Sequence, residues 1–130
     1  MKKQNSSNHL NLQSMTSNCP ITSTVLAIGG RWKIIIIWQL KDGALRYGEI
    51  RKAIPGISEK MLIQQLRDLT ANGWISKRDY QEIPPKTDYR LTPLGKSFIP
   101  VLQHIYDWGA KHKITGLPDR KALKNSGPSI

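Results

Sequence analysis

A single cysteine, nine acidic residues and no long apolar run narrow the field before any motif is considered. One cysteine cannot build an intrachain disulfide framework, and it fits a reducing compartment. The longest apolar run is Ile34-Ile35-Ile36-Ile37-Trp38, far short of the roughly 20 residues that a membrane-spanning helix needs. Two lysines follow Met1 but no apolar segment follows them, so the start of the chain does not read as a signal peptide. A cytoplasmic protein with no membrane partner is expected. Metal ligands are equally sparse. His9, His104 and His112 are scattered and Cys19 is alone, so the spacings that zinc requires are missing. No glycine-rich loop precedes a Lys-Ser or Lys-Thr pair, and Gly29-Gly30 is too little to cradle a phosphate. The few acidic residues mostly adjoin Lys or Arg. With no acid–base or nucleophile constellation, neither an enzyme nor a cofactor is expected.

What the chain has in abundance is positive charge. Its 130 residues carry 20 Lys+Arg, a formal charge of +11. Such a chain is drawn to polyanions, meaning nucleic acid or an anionic membrane. Part of the excess lies in the two ends, and a basic tail argues less for a binding site than a basic folded face. The length suggests one domain with a real core. Residues 1–18 are rich in Asn, Ser and Gln and read as a disordered polar leader. Residues 111–130 are basic, contain Gly and Pro, and read as a flexible tail. The folded domain is expected over 19–110.

The patterning in between is mainly helical. Pro20 holds Cys19 extended. Residues 21–28 predict a short helix with Ile21, Val25 and Ile28 on one side, ended by Gly29-Gly30. Arg31 to Leu40 is the most apolar segment. Its four isoleucines would suit a buried strand. Trp32, Ile35, Ile36 and Gln39 fall at helical spacing, however, and Asp42-Gly43 is a natural stop. A central core helix, apolar nearly all round, is therefore expected. Ala44 to Tyr47 suits a short strand. Gly48 to Ile54 suits a short helix with Ile50 and Ile54 inward and Arg51 and Lys52 outward. Pro55-Gly56 breaks the chain, and Ser58 can cap the next helix. That helix runs to Ala71-Asn72-Gly73 and aligns Ile57, Met61, Leu62, Leu66 and Leu69 on one face. A short helix, a tight turn and a longer helix make a helix-turn-helix.

Beyond Gly73, Trp74 to Tyr80 and Asp88 to Thr92 read as two strands around the loop Ile83-Pro84-Pro85-Lys86-Thr87. A hairpin in that place makes a winged helix. Thr92-Pro93 opens a last helix. Leu94, Phe98, Val101, Leu102, Ile105 and Trp108 form its apolar stripe, and Pro100 should kink it. The fold class is α+β and mainly helical: a winged helix-turn-helix with a C-terminal dimerisation helix. That helix is assigned to dimerisation because its apolar surface exceeds what one core needs, and a second copy is the natural partner.

The second face of the 58–72 helix mixes long hydrogen-bonding side chains with cations, as reading base edges in a major groove requires. Its candidates are Ser58, Lys60, Ile63, Gln64 and Arg67, with Glu59 able to accept from cytosine. Lys86, at the tip of the hairpin beside two stiffening prolines, can reach a minor groove or a phosphate. Lys77, Arg78 and Arg90 lie on the strands, where alternation sends some of them away from DNA. Arg31, Lys33, Arg46, Arg51 and Lys52 suit phosphate contacts, which fix register without reading sequence. For any one of these residues, ordinary solvation is the competing explanation. A two-fold dimer would set two reading helices about 34 Å apart on a palindromic site. Cys19 carries two readings. Exposed near Arg31 and Lys33, it would favour the thiolate and be open to oxidation or alkylation. Buried, it would be a small hydrophobe.

Several of these stretches, in this order, resemble one bacterial family. They are Cys19-Pro20, Ile28-Gly29-Gly30-Arg31-Trp32-Lys33, Arg46-Tyr47-Gly48-Glu49-Ile50 and Pro55-Gly56-Ile57-Ser58-Glu59-Lys60-Met61-Leu62. Gln64-Gln65-Leu66-Arg67-Asp68-Leu69, Glu82-Ile83-Pro84-Pro85-Lys86 and Tyr89-Arg90-Leu91-Thr92-Pro93-Leu94-Gly95 continue the match. Over about residues 19–109 the chain resembles the HxlR-type transcriptional regulators. The resemblance implies a homodimeric, DNA-binding winged helix-turn-helix related in fold to MarR regulators. It implies that the first and last helices build the dimer, that the helix after Pro-Gly-Ile-Ser enters the major groove, and that the basic wing residue approaches the minor groove. Some members sense electrophiles or oxidants through the cysteine before proline, which is Cys19 here; in others the signal is unknown. Ile63, where Thr is common, and Asp79, where an apolar residue is common, depart from the pattern.

The partners expected are therefore a double-stranded DNA operator and a second copy of the chain, with a small molecule or an oxidant as inducer. A winged-helix module that docks onto protein or RNA, reading no DNA sequence, is the other function class these residues allow.

Overall fold

Pro20 begins the first helix with a residue whose missing N–H would have found no partner there. The computed structural model describes residues 19–115. The leader expected over 1–18, and the tail beyond residue 115, lie outside the described residues. Five helices and three strands are present among them: α1 Pro20–Ile28, α2 Lys33–Gln39, β1 Leu45–Arg46, α3 Tyr47–Ala53, α4 Glu59–Ala71, β2 Ile75–Asp79, β3 Thr87–Leu91 and α5 Pro93–Lys111. The four isoleucines are helical. Ile36 and Ile37 are completely buried and Leu40 nearly so. The helix is not buried all round, as expected from sequence, because Ile35 is exposed. It lines a shallow apolar groove with Trp38, Leu102, Ile105 and Tyr106.

The helix-turn-helix is built from local signals. The Glu49 carboxylate accepts the Arg46 backbone N–H at 2.8 Å, fixing the start of α3. Gly56 turns the chain with φ +90, a backbone region that side chains with a Cβ avoid. Ser58 Oγ then accepts the Met61 N–H at 3.0 Å and caps α4. Leu62, Leu66 and Leu69 are buried, with Ile57 close behind. Met61 is a correction: it is exposed, not part of the core face. The buried stripe is centred on 62, 66 and 69, and Met61 lies about 100° round the helix from it.

The sheet is antiparallel in the order β1-β3-β2. Leu45 pairs with Tyr89, and β2 pairs with β3 from Ile75↔Leu91 to Asp79↔Thr87. Each hairpin strand starts one residue from its expected place. Thr92 joins the hairpin to α5. Its hydroxyl donates to the Gly73 carbonyl at 2.6 Å and accepts the Gly95 N–H at 3.2 Å. Helix α5 runs through Pro100 without ending. Its apolar stripe divides. Leu102 is buried and Phe98 packs on Trp74, with ring centroids 5.6 Å apart, so these two serve the chain's own core and are corrected from the expected dimer set. Leu94, Val101, Ile105 and Trp108 remain exposed.

Candidate nucleic-acid interface

Helix α4 presents three distinct sides. Toward α2 lie Gln65 and Asp68. Toward the hairpin lies Ile63. Between them, facing solvent, Lys60, Gln64 and Arg67 line one continuous surface with Glu59 and, at its border with the hairpin side, Ile63. Lys60, Gln64 and Arg67 are all exposed. Gln64 Nε2 donates to Asp68 Oδ1 at 3.1 Å, which leaves its carbonyl oxygen free. Ser58 is exposed at the N-terminus of the same helix. The residues expected on the polar face of α4 are thus together on one surface.

The phosphate-contact candidates divide by what already holds them. Lys33 is a correction. Its side chain is only 18% exposed, its ammonium donates to Gln65 Oε1 at 2.8 Å, and Asp68 Oδ2 is 3.7 Å away. It braces α2 against α4 and does not project toward solvent. Arg51 lies 3.9 Å from Glu59 across the turn. Arg31 is exposed and stacks on Trp32 at 5.6 Å. Arg46 and Lys52 are exposed.

The hairpin separates its charges by strand parity. Arg78, Tyr80, Asp88 and Arg90 share the outer face. Tyr80 donates its O–H to Asp88 Oδ2 at 2.6 Å, and Arg90 Nη2 reaches Asp88 Oδ1 at 3.3 Å. Asp88 is buried, yet the Tyr80 hydrogen bond, with Arg90 beside it, holds its carboxyl below the usual carboxylate range. The Arg78 guanidinium lies 4.6 Å and the Lys86 ammonium 4.4 Å from the centre of the Tyr80 ring. Lys86 is therefore not at the wing tip. Its carbonyl accepts the Tyr80 N–H at 2.9 Å, which places it at the root of the loop, and the tip is formed by Glu82 to Pro85. On the inner face, toward α4, lie Lys77 and Tyr89, opposite one another in register. Burial and the nearby Tyr47 push the Tyr89 hydroxyl up, so it stays a protonated donor at neutral pH.

Reasoning from sequence left Lys77 among undecided strand cations and did not find Tyr80 or Tyr89. The signal was available in the alternation from Ile75: residues 75 and 77 share the face that looks at the helices, and 78 does not.

Cys19 is exposed, which removes the buried reading. It stands at the N-cap position of α1. A hydrogen bond from the Thr22 side chain, together with the Thr22 and Ile21 N–H groups, lowers its pKa. Among the described residues no group of three His, Cys, Asp or Glu could hold a metal ion, and no single helix is long and apolar enough to cross a membrane.

A short helix, a tight turn, an exposed second helix, a hairpin pinned at its root and a long closing helix define a winged helix-turn-helix transcriptional regulator. The family of HxlR-like helix-turn-helix proteins matches residues 27–115, and the chain belongs to that family. The HTH-type transcriptional regulator YdeP of Bacillus subtilis strain 168 is 44% identical over 95 residues, which cover 73% of this chain and 74% of YdeP. A MarR-family transcriptional regulator from Porphyromonas gingivalis W83 superposes with a TM-score of 0.70 at 42% identity, covering 73% of this chain and 93% of that one. The redox regulator HypR, in its oxidised form, superposes with a TM-score of 0.68 at 38% identity, covering 72% of this chain and 96% of HypR.

Proposed function

We propose that this chain acts in the cytoplasm as a homodimer that binds a palindromic DNA operator and carries out no reaction of its own. The observation that carries the reading is the solvent face of α4. Lys60, Gln64 and Arg67 stand there together, and no ion pair within the described residues holds either cation. With α4 in a major groove, Lys60 and Gln64 face base edges, and Ser58 and Arg67 face bases or the flanking phosphates. Ile63 offers an apolar edge to a thymine methyl. Lys86 approaches the minor groove or its phosphates, and Arg31, Arg46 and Arg51 hold the backbone.

Dimerisation is supported by the apolar groove between α1 and α5. It has a volume of about 570 Å³, and its walls include Ile21, Val25, Leu94 and Val101, all exposed in the single chain. A second copy covers this surface and sets two α4 helices about one DNA turn apart.

A redox response through Cys19 is supported by its exposed thiol, its lowered pKa and its place at the start of α1, an element of that groove. The thiolate attacks a peroxide oxygen. An S–O bond forms, the O–O bond breaks, and the departing oxygen leaves as water after taking a proton, giving the sulfenic acid.

A gel-shift against DNA from upstream of the chain's own gene and its neighbours tests the main reading. Specific retention at physiological salt is expected. Binding no tighter than to random duplex would favour a protein- or RNA-docking module instead. On the operator so found, Lys60→Ala and Gln64→Ala should relax sequence preference, since removing a good base-edge hydrogen bond costs about 1–3 kcal/mol. Lys86→Ala should weaken all sequences evenly. Mild peroxide should change operator affinity in the wild type and leave Cys19→Ser unaffected; an equal response from both removes the redox reading.

A further inference from the structure

Major and minor grooves are separated by one sugar–phosphate strand. A helix in the first and a hairpin loop in the second must therefore straddle that strand, and whatever lines the cleft between them faces phosphate. Here the cleft consists of two adjoining depressions, of about 350 and 280 Å³, that share Ile63, Lys77 and Tyr89. Arg67 stands at one end. Glu59 stands at the other, with its carboxylate 3.9 Å from Arg51.

The cations of the hairpin differ in what already engages them. Arg90 lies against Asp88, and Arg78 and Lys86 lie over the Tyr80 ring. All three are drawn onto or around the outer face. Lys77 is exposed, has no hydrogen bond or ion pair among the described residues, and is on the inner face. From Lys77 to the root of the loop at Tyr80 is three residues, about 10 Å along the strand. Lys77 is thus set back from the loop by roughly one minor-groove width of about 6 Å or more.

We infer that Lys77, with the Tyr89 hydroxyl beside it, grips the phosphate strand running between the recognition helix and the wing. The inference rests on the proposal that α4 enters a major groove. It assigns Lys77 the sequence-independent clamp that Lys86, held over Tyr80, serves less directly. A tyrosine that stays protonated can donate to a phosphate oxygen, as the ammonium can.

The test is a salt titration of binding, from 50 to 200 mM, on two duplexes of equal length: the operator fragment retained in the gel-shift and a random sequence. Wild type, Lys77→Ala, Lys77→Arg and Lys96→Ala are compared, Lys96 being an exposed cation on α5 outside this cleft. Lys77→Ala should weaken both duplexes by the same factor, about tenfold, and reduce the slope of log affinity against log salt by about one. Lys77→Arg should retain most of the affinity, and Lys96→Ala should match wild type. An unchanged slope in Lys77→Ala, or a weakening confined to the operator, overturns the inference. The two readings fail separately: wild type that binds neither duplex removes the DNA reading and this inference together, whereas wild-type binding untouched by Lys77→Ala removes this one alone. Because Lys77 is exposed and unpaired, its variants should melt as wild type does, and a matched thermal midpoint confirms that binding alone has changed.

Discussion

The junction between the hairpin and α5 permits a prediction whose sign depends on which of two effects is larger. Gly95 sits in the first turn of α5. Replacing glycine by alanine inside a helix ordinarily stabilises it by up to about 1 kcal/mol. At Gly95, however, a Cβ would overlap the Trp74 carbonyl oxygen and sit 3.1 Å from Leu91 Cδ2. That carbonyl cannot easily give way. It accepts the Thr92 N–H at 3.1 Å, and the Thr92 hydroxyl, whose single proton goes mainly to the Gly73 carbonyl, lies 3.1 Å away. Overpacking of this kind costs about 1–3 kcal/mol, and displacing the carbonyl endangers the Thr92 N–H hydrogen bond, worth about 1 kcal/mol. Steric cost therefore exceeds helix propensity, and Gly95→Ala should lose about 2 kcal/mol. For a domain near this size that is a fall in thermal midpoint of about 8–16 °C. Gly109 in the same helix is the control, because a Cβ there meets only Ile114 Cβ at 4.0 Å, an ordinary contact. Gly109→Ala should gain a few tenths of a kcal/mol and melt slightly higher. Both variants are followed by circular dichroism at one protein concentration, since assembly shifts apparent stability. A Gly95→Ala protein as stable as wild type would refute the packing at this junction.

Two further outcomes follow from where individual side chains lie. Leu102→Ala should destabilise the domain by about 2–5 kcal/mol in chemical denaturation, whereas Ile105→Ser, exposed on the same helix, should leave the unfolding of a dilute sample nearly unchanged and shift sedimentation toward monomer. Asp88 titrates below its usual range when folded, so its contribution is present above about pH 4 and is lost as pH falls through that lowered value; the acid unfolding of Asp88→Asn should accordingly be less steep than that of wild type, and coincident acid transitions would contradict the Tyr80–Asp88–Arg90 arrangement.

The helix-turn-helix was legible because its signals are local. Pro55-Gly56, the Ser58 cap and the 62–66–69 spacing each act within a turn of chain. The α2 helix was legible for the same reason, despite its β-branched run. What was not legible depends on distant partners. A helical period marks Leu94 through Trp108 as one stripe, but it cannot say that Trp74 would cover Phe98 or that the chain's own core would bury Leu102. Met61 and Ile35 look equivalent to their neighbours until the covering element is placed. Lys33 looked like any cation near a helix start; only the approach of α2 to Gln65 and Asp68 commits it. In the hairpin, parity alone could have parted Lys77 from Arg78, whereas the position of Lys86 at the root of the loop depended on where the strands stop.

The pairing of β1 with β3 has a mechanical consequence. Leu45 and Tyr89 are neighbours across the sheet, so everything from α3 through β2 is enclosed between two hydrogen-bonded points. Helix α4 and the wing are thus tied at their common base. Lys33 adds a strut from α2 to the back of the same body. A displacement of the first or the last helix would therefore turn such a frame as a unit. In the proposed dimer it would alter the distance and angle between two such units more than the shape of either.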